Sequence, residues 1–384
     1  MSNTTNLNTN EIIKSLLSKL SKKERDIVSR RFGLKDTERE TLEAVGKLHS
    51  LTRERIRQIE NATVKKLKDL KDLKESLGEL NSKTGLILAE HGGLAEREYL
   101  FHLLNTFSPV EYKSKDYDVE KNHYDFLLSR ILNDEFEEVK GSEIFKHSYK
   151  TRESTLEHLE ELAKELISQV AAIKEVVKTE DAIGALTKSE AYNKHKDTIT
   201  VPSDLDVSSF WKNALYDEND EVIHGNKVLY SLLQAVKDVE QNKFGFWGMN
   251  HSEEISPKTI NHKIYLVLKN ETKPMHFVDI AKRINEVCFD RKIANPATVH
   301  NELILDPKYV LVGRGIYGLK EWGFKEGVVQ DVIREILKEN GALTKEQIID
   351  KVLENRLVKK TTISLALMNK DTFEKVGDKY QVKK

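Results

Sequence analysis

A single cysteine, Cys288, stands among 384 residues. It excludes an internal disulfide and any multi-cysteine metal site. Its apolar neighbours Val287 and Phe289 predict a buried packing role. No apolar run approaches the roughly 18 residues of a membrane span, and the polar start MSNTTNLNTN is not a signal peptide. These absences predict a cytoplasmic protein with no membrane partner and a disordered segment 1–10. The twelve histidines offer no i, i+4 pair with a carboxylate partner, so no metal site is expected. Neither a cofactor motif nor a nucleophile–base arrangement is found, and the chain is not read as an enzyme.

Excess charge of one sign is also missing, since the formal net charge is −1, but the average hides a pattern. Residues 11–75 carry 18 Lys/Arg against 12 Asp/Glu, and residues 256–384 carry 24 against 17. Residues 76–255 carry 20 against 34. Basic ends suit phosphate contacts, whereas the acidic middle would be repelled by DNA and suits protein contacts or plain solubility.

Residues 41–60, TLEAVGKLHSLTRERIRQIE, are the most informative stretch. Thr41 to Gly46 predicts a short helix, Lys47 to Leu51 a tight connection, and Thr52 an N-cap for a second helix over 52–67. At about 100° per residue, Arg53, Glu54, Arg57, Gln58 and Asn61 share one face, and Ile56, Ile59 and Thr63 the opposite, core-facing one. Arg can take guanine bidentately, Gln adenine, and Glu can accept from cytosine. The same residues are also helical neighbours that would pair on a solvated helix.

In register, LSKKERDIVSRRFGL (20–34), TLEAVG (41–46) and TRERIRQIE (52–60) resemble region 4 of primary bacterial sigma factors. That domain recognises the promoter −35 element and docks on the β-flap of RNA polymerase. The resemblance implies that Arg53, Glu54, Arg57 and Gln58 read bases, that Arg31 and Lys47 contact phosphate, and that Arg55 is a further backbone candidate. Ala44 stands where the family has an acidic residue, which removes half of a Thr41 capping box. His49 replaces a usual aromatic in the turn. Region 4 normally ends a sigma factor but begins this chain, and nothing downstream resembles the parts that melt DNA and read the −10 element. A working sigma factor is therefore not expected.

Helical patterns around 86–105 and 123–133, then EFEEVKGSEIFKHS with strand-like alternation, predict a winged helix over 85–150. Ser154 and Glu157 predict a capping box for a helix over 154–178. Its stripe Leu156, Leu159, Ala163, Leu166, Val170, Ile173 and Val177 fits packing on its own domain, the favoured reading, or a homodimer seam. The rest of the acidic region 151–255 has no assigned fold.

Farther along, MHFVDIAKRI (275–284), ATVHNELI (297–304) and KYVLVGRGIYGLKEW (308–322) predict two helices and a two-stranded wing. His276, Phe277, Ile280, Ala281 and the run VLVGRGIYGL resemble the HARE helix-turn-helix family over 256–323. This winged-helix module occurs in the polymerase delta subunit, chromatin proteins and some restriction enzymes. At a constant offset of 64, Thr298, Val299, Leu303, Tyr309, Val312 and Gly313 match Thr362, Ile363, Leu367, Phe373, Val376 and Gly377, which predicts a second winged helix over 324–384. Gly313, Gly315 and Gly318 spell a dinucleotide fingerprint, but flanking β-formers on both sides fit a wing turn instead. Arg314 at that turn and Lys359 and Lys360 at a helix start are candidate phosphate contacts.

The expected fold is mainly α: a multi-domain array comprising a helix-turn-helix module over 11–80 and winged-helix modules with small β-wings. The expected function is a bacterial, nucleoid-associated transcription protein that reads double-stranded DNA at a −35-like element and acts with RNA polymerase. The rival is a polymerase accessory protein that occupies the β-flap and competes with sigma without reading sequence.

Overall fold

The computed structural model describes residues 7–35, 38–173, 175–201, 204–212, 214–325 and 327–383. Among them are eighteen α-helices and eleven strands of two to five residues, so the protein is mainly α with small antiparallel sheets. Two compact units divide the chain, Met1–His251 and Ser252–Lys384.

The first unit opens with α1 (Thr9–Ser18), α2 (Lys22–Phe32), α3 (Leu42–His49) and α4 (Arg53–Lys68). Next come α5 (Leu73–Glu90), β1 (Leu94–Glu96), α6 (Arg97–Asn105), α7 (Lys115–Phe126), β2 (Phe136–Val139) and β3 (Ser148–Thr151). The acidic region supplies α8 (Glu157–Ala172), α9 (Thr179–Leu186), α10 (Glu190–Ile199), α11 (Asp220–Gly225), α12 (Lys227–Ala235), β4 (Val239–Gln241) and β5 (Trp247–Met249). One apolar core runs through all of them except α3, from Leu7 to Trp247. The segments read from sequence as 11–80, 85–150 and 151–255 therefore share a single interior. The boundary placed between 80 and 85 falls inside α5, whose buried Leu77, Leu80, Thr84, Ile87 and Leu88 form one continuous face.

Three further expectations are corrected. Residues 1–6 of the expected disordered start lie outside the described residues, but Leu7 is buried and its N–H bonds the Phe107 carbonyl at 2.7 Å. The helix expected over 154–178 spans only Glu157–Ala172 and has no side-chain cap, because the Ser154 hydroxyl pairs with Thr151 instead. Of its stripe, Leu159, Ala163, Leu166 and Val170 are buried in the unit's own core, as packing on its own domain requires, and Val177 bonds the Trp247 backbone, while Ile173 is exposed. Cys288 is exposed: it takes φ +53 and closes a helix rather than packing.

The second unit contains α13 (Ile260–Glu271), β6 (Met275–His276), α14 (Phe277–Val287), α15 (Pro296–Leu305), β7 (Tyr309–Gly313) and β8 (Ile316–Leu319). It continues with α16 (Val329–Asn340), β9 (Leu343–Thr344), α17 (Lys345–Asn355), α18 (Lys360–Leu367), β10 (Phe373–Val376) and β11 (Lys379–Val382). Both halves follow the order helix, strand, helix, helix, hairpin, with the first strand paired to the last. The run α5-β1-α6-α7-β2-β3 has the same order and the same pairing. One winged-helix topology thus occurs three times.

The 64-residue offset holds in the core. Val299 and Ile363 are buried in the third helix of each copy, as are Leu303 and Leu367, and Tyr309 and Phe373 open the first wing strand. It fails at the wing tips, where Val312 is buried but Val376 is 58% exposed. The β7–β8 pairing shifts register between Leu311 and Gly313, and the left-handed glycine is Gly315 in one wing and Gly377 in the other. Between the copies, the Leu357 N–H bonds the Val312 carbonyl at 2.8 Å, and buried Arg356 donates to the carbonyls of Leu311 and Gly327. A Cβ on Gly313 would meet the Leu357 oxygen at 2.7 Å, so glycine is required for this strand to sit under the second copy. The glycine triplet accordingly lies in a β-hairpin, and no α-helix begins at it.

In the first unit, α7 is fastened to the N-terminal helices by buried polar groups. Asn122 Nδ2 donates to the Gly33 carbonyl at 3.2 Å and His123 Nε2 to that of Leu34 at 2.9 Å. Thr9 donates to Glu120 at 3.1 Å. Asp125 accepts from Arg39 at 2.7 Å, from Arg97 at 3.0 and 2.7 Å and from Tyr149 at 2.8 Å. Burial opposes ionisation of Asp125, but the Arg97 hydrogen bonds and charge outweigh it and hold the carboxyl at about 2. A depressed carboxyl contributes stability that is present above its unfolded value and lost as pH falls through its folded one. Urea denaturation should show stability falling from about pH 4 toward pH 2. Asp125→Asn should cost about 2 kcal/mol near neutrality and flatten this acid dependence.

Candidate nucleic-acid interface

The helix-turn-helix is assembled from α2, α3 and α4. Ser21 and Glu24 form a reciprocal capping box on α2, at 3.3 and 2.8 Å. Thr41 caps α3 through the Ala44 N–H at 3.2 Å, with no reciprocal acid because position 44 is alanine. The first helix runs to His49, beyond the expected end at Gly46. Ser50 then takes φ +55 and Thr52 caps α4 through the Arg55 N–H at 3.2 Å. A Cβ on Gly46 would lie 2.7 Å from the Leu51 carbonyl oxygen, so the turn folds back tightly only over a glycine. Ile27, Val45 and Ile56 form the small core beneath it, with Ile59 packed against them. His49 Nε2 bonds Asp26 at 2.9 Å. A polar tie between turn and α2 thus stands where an aromatic was expected.

The α4 helix is two-sided. Ile56, Glu60, Thr63 and Leu67 are buried, while Arg53, Glu54, Arg55, Arg57, Gln58 and Asn61 are exposed. The four residues expected to read bases lie together on the first two turns. Arg57 grips Glu54 bidentately at 2.8 and 2.7 Å. That hydrogen bond lowers the Glu54 carboxyl and raises the guanidinium. Arg55 donates to Gln58 at 3.1 Å. Exposed pairs of this kind contribute little, being screened by solvent, so a better partner displaces them at little cost.

The expected phosphate contacts are not equivalent. Lys47 is exposed and pairs with Glu43 at 3.1 Å. Arg314 is exposed in the β7–β8 turn, and Lys359 and Lys360 are exposed at the start of α18. Arg31 is different: its Nε bonds Glu60 at 2.9 Å and it donates to the Glu40 carbonyl. Glu60 is 5% exposed, and a buried carboxylate needs a compensating cation. Arg31 therefore fills a structural position that its RRF context did not reveal. The missed signal is Glu60 itself, a carboxylate on the core-facing stripe of α4 with Ile56 and Thr63.

The apolar side of this domain is closed. Leu7, Ile13, Leu16, Leu17, Leu20, Val28, Phe32, Leu34 and Leu67 belong to the unit's common core. Among the described residues of 7–70, Leu48 is the one large hydrophobic side chain that is exposed. Asp125, Glu138 and His147 place ligand-type atoms within 4.8 Å of one another. However, Arg39 and Arg97 engage Asp125, while Lys140 and His147 pair with Glu138, so the charges of this cluster are already balanced.

Arg31→Ala should lower folding stability by about 2–3 kcal/mol, read as a loss of urea midpoint, because buried Glu60 then keeps only the more distant Arg130 at 3.8 Å. Arg31→Ala/Glu60→Gln should recover much of that loss, because the uncompensated charge is removed with its partner.

Residues 16–69 match the family described as Sigma-70, region 4. Over 58 residues the chain is 48% identical to the RNA polymerase sigma factor SigA1 of Synechococcus elongatus, covering 15% of this chain and 14% of that protein. It is 39% identical over 74 residues to the sigma factor RpoS of Coxiella burnetii, covering 19% and 21%. It is 45% identical over 58 residues to SigA of a Nostoc species, covering 15% of each. The chain thus spans about one seventh to one fifth of the length of these relatives, and its N-terminal helix-turn-helix is similar to their region 4.

Proposed function

We propose that this protein is a DNA-binding transcription factor of bacterial type, acting with RNA polymerase in the cytoplasm at the nucleoid. Its α4 helix enters the major groove of a −35-like element, where Arg53, Glu54, Arg57 and Gln58 meet base edges and Lys47 and Arg55 meet phosphate. Binding rather than catalysis is its role. The carrying observation is the asymmetry of the N-terminal domain: its capped recognition helix is outward and polar, while its apolar surface is buried in the chain's own core. A surface with one large exposed hydrophobic side chain suits a polar, hydrated groove better than a protein interface, whose core is apolar. The winged helices of the second unit, HARE-type over 256–323, add backbone or partner contacts.

The rival reading is a polymerase accessory protein bound at the β-flap. It is favoured by the 34 acidic against 20 basic residues of the middle segment, which suit protein more than DNA. A pull-down with the isolated flap domain, with and without competing sigma factor, separates the two. Capture abolished by sigma, together with no sequence preference on DNA, would favour the rival.

Base reading is tested by fluorescence anisotropy on a TTGACA-containing duplex and a scrambled one across a salt series. Arg53→Ala should weaken binding to the first by about 1–3 kcal/mol, some fivefold to 150-fold, and barely change the second. Equal loss on both duplexes would count against base readout.

A further inference from the structure

Three copies of one topology present three different third helices, the element that follows the turn and enters a groove in helix-turn-helix proteins. In the first copy, α7 has its polar residues Glu120, Asn122, His123 and Asp125 buried, with Asn122, His123 and Asp125 bonded to Gly33, Leu34 and Arg39, which lie between α2 and α3. In the second, α15 contains no lysine or arginine and exposes Thr298, Asn301, Ile304 and Leu305. In the third, α18 starts with Lys359 and Lys360 and exposes Thr361 and Thr362. Lys370 follows the helix, and Lys375 and Lys379 flank the hairpin turn at Gly377. All five lysines are exposed. Among the described residues none has a carboxylate within ion-pair distance, whereas Lys263, Lys269 and Lys325 in the same unit each do.

We infer that the third winged helix, through Lys359, Lys360, Lys375 and Lys379, is a second, sequence-independent contact to the phosphate backbone of duplex DNA. This rests on the reading of the protein as DNA-binding. Lysine suits the role because an ammonium on a flexible stem meets phosphate as a point charge without demanding a fixed geometry. The cations lie on the two parts, helix and β-ribbon, that such folds bring to a duplex. Nothing comparable is offered by α15, where Arg314 at the wing tip is the one arginine or lysine on the third helix or in the wing turn. The exposed Leu365 and Met368 on α18 would instead suit a protein partner, and that reading predicts no effect of the lysines on DNA affinity.

The test uses the full chain on the −35-like and scrambled duplexes, with log affinity measured against log salt. Each phosphate contact adds about 0.9 to the slope. Lys359→Ala/Lys360→Ala and Lys375→Ala/Lys379→Ala should each make the slope shallower by about 2, equally on both duplexes. The preference for the −35-like site should be untouched. Lys273→Ala/Lys338→Ala, the same charge change away from α18 and its wing, should leave the slope as it is. Unchanged slopes in both test variants, or an equal drop in the control, would overturn the inference while a surviving site preference left base reading standing. A shallower slope with no site preference would sink base reading and keep this contact.

Discussion

The covering of α7 is the constraint on which the first unit depends. A third helix of a winged module is ordinarily an outward element, yet here its polar face holds the carbonyls of Gly33 and Leu34, and its Asp125 binds Arg39 and Arg97. Buried polar groups tolerate no loose geometry, because each lost partner leaves the full desolvation cost of the other. The contact therefore fixes where α2 ends, and through the Arg31–Glu60 pair it fixes the rotation of α4. With Glu60, Ile56 and Leu67 turned inward, only one arc of that helix can face a ligand. The orientation of the polar arc is thus a consequence of packing on the far side of the domain.

The same physics explains how one topology yields three surfaces. Hydrophobic positions of the winged fold are constrained by the core, so Val299 and Ile363, or Leu303 and Leu367, stay apolar and buried. The outward positions of the third helix carry no such constraint. In α7 they became a binding face for the N-terminal helices, in α15 a neutral face, and in α18 a face bordered by lysines. Contacts between copies add local demands of their own, such as the glycine at 313 beneath the Leu357 carbonyl. Fold identity is therefore no guide to what each copy touches.

Much of this could be read from residue order. The caps at Ser21, Thr41 and Thr52, the apolar stripe of α4 and the two C-terminal hairpins follow from local spacing, and local spacing is visible in one chain. What escaped notice depends on distant partners. The Ser154 hydroxyl goes to Thr151 rather than to a helix, and Arg31 goes to a carboxylate 29 residues away. The side chains of Arg31 and Lys47 look alike in a motif, yet one neutralises a buried acid and the other stands in solvent. Charge in a sequence does not state whether it is available.

Availability also bears on how base reading and phosphate attraction divide. On α4, Arg57 is matched by Glu54 and Arg55 by Gln58, so its outward arc carries less free positive charge than its three arginines imply. A face of mutually satisfied pairs gains little from an arbitrary run of phosphates, since each pair must open before it can rebond. It gains more from base edges that supply both a donor and an acceptor in the right places, which is how imperfect partners are rejected. In the proposed reading, sequence-independent attraction then has to come from cations without internal partners. Lysines without a carboxylate partner among the described residues stand at the other end of the chain too, among them Lys359, Lys360 and Lys379 in α18 and its wing. On that reading, a chain whose net charge is −1 would bind a polyanion by separating specificity and attraction onto different modules, with the acidic segment 76–255 between them in the sequence.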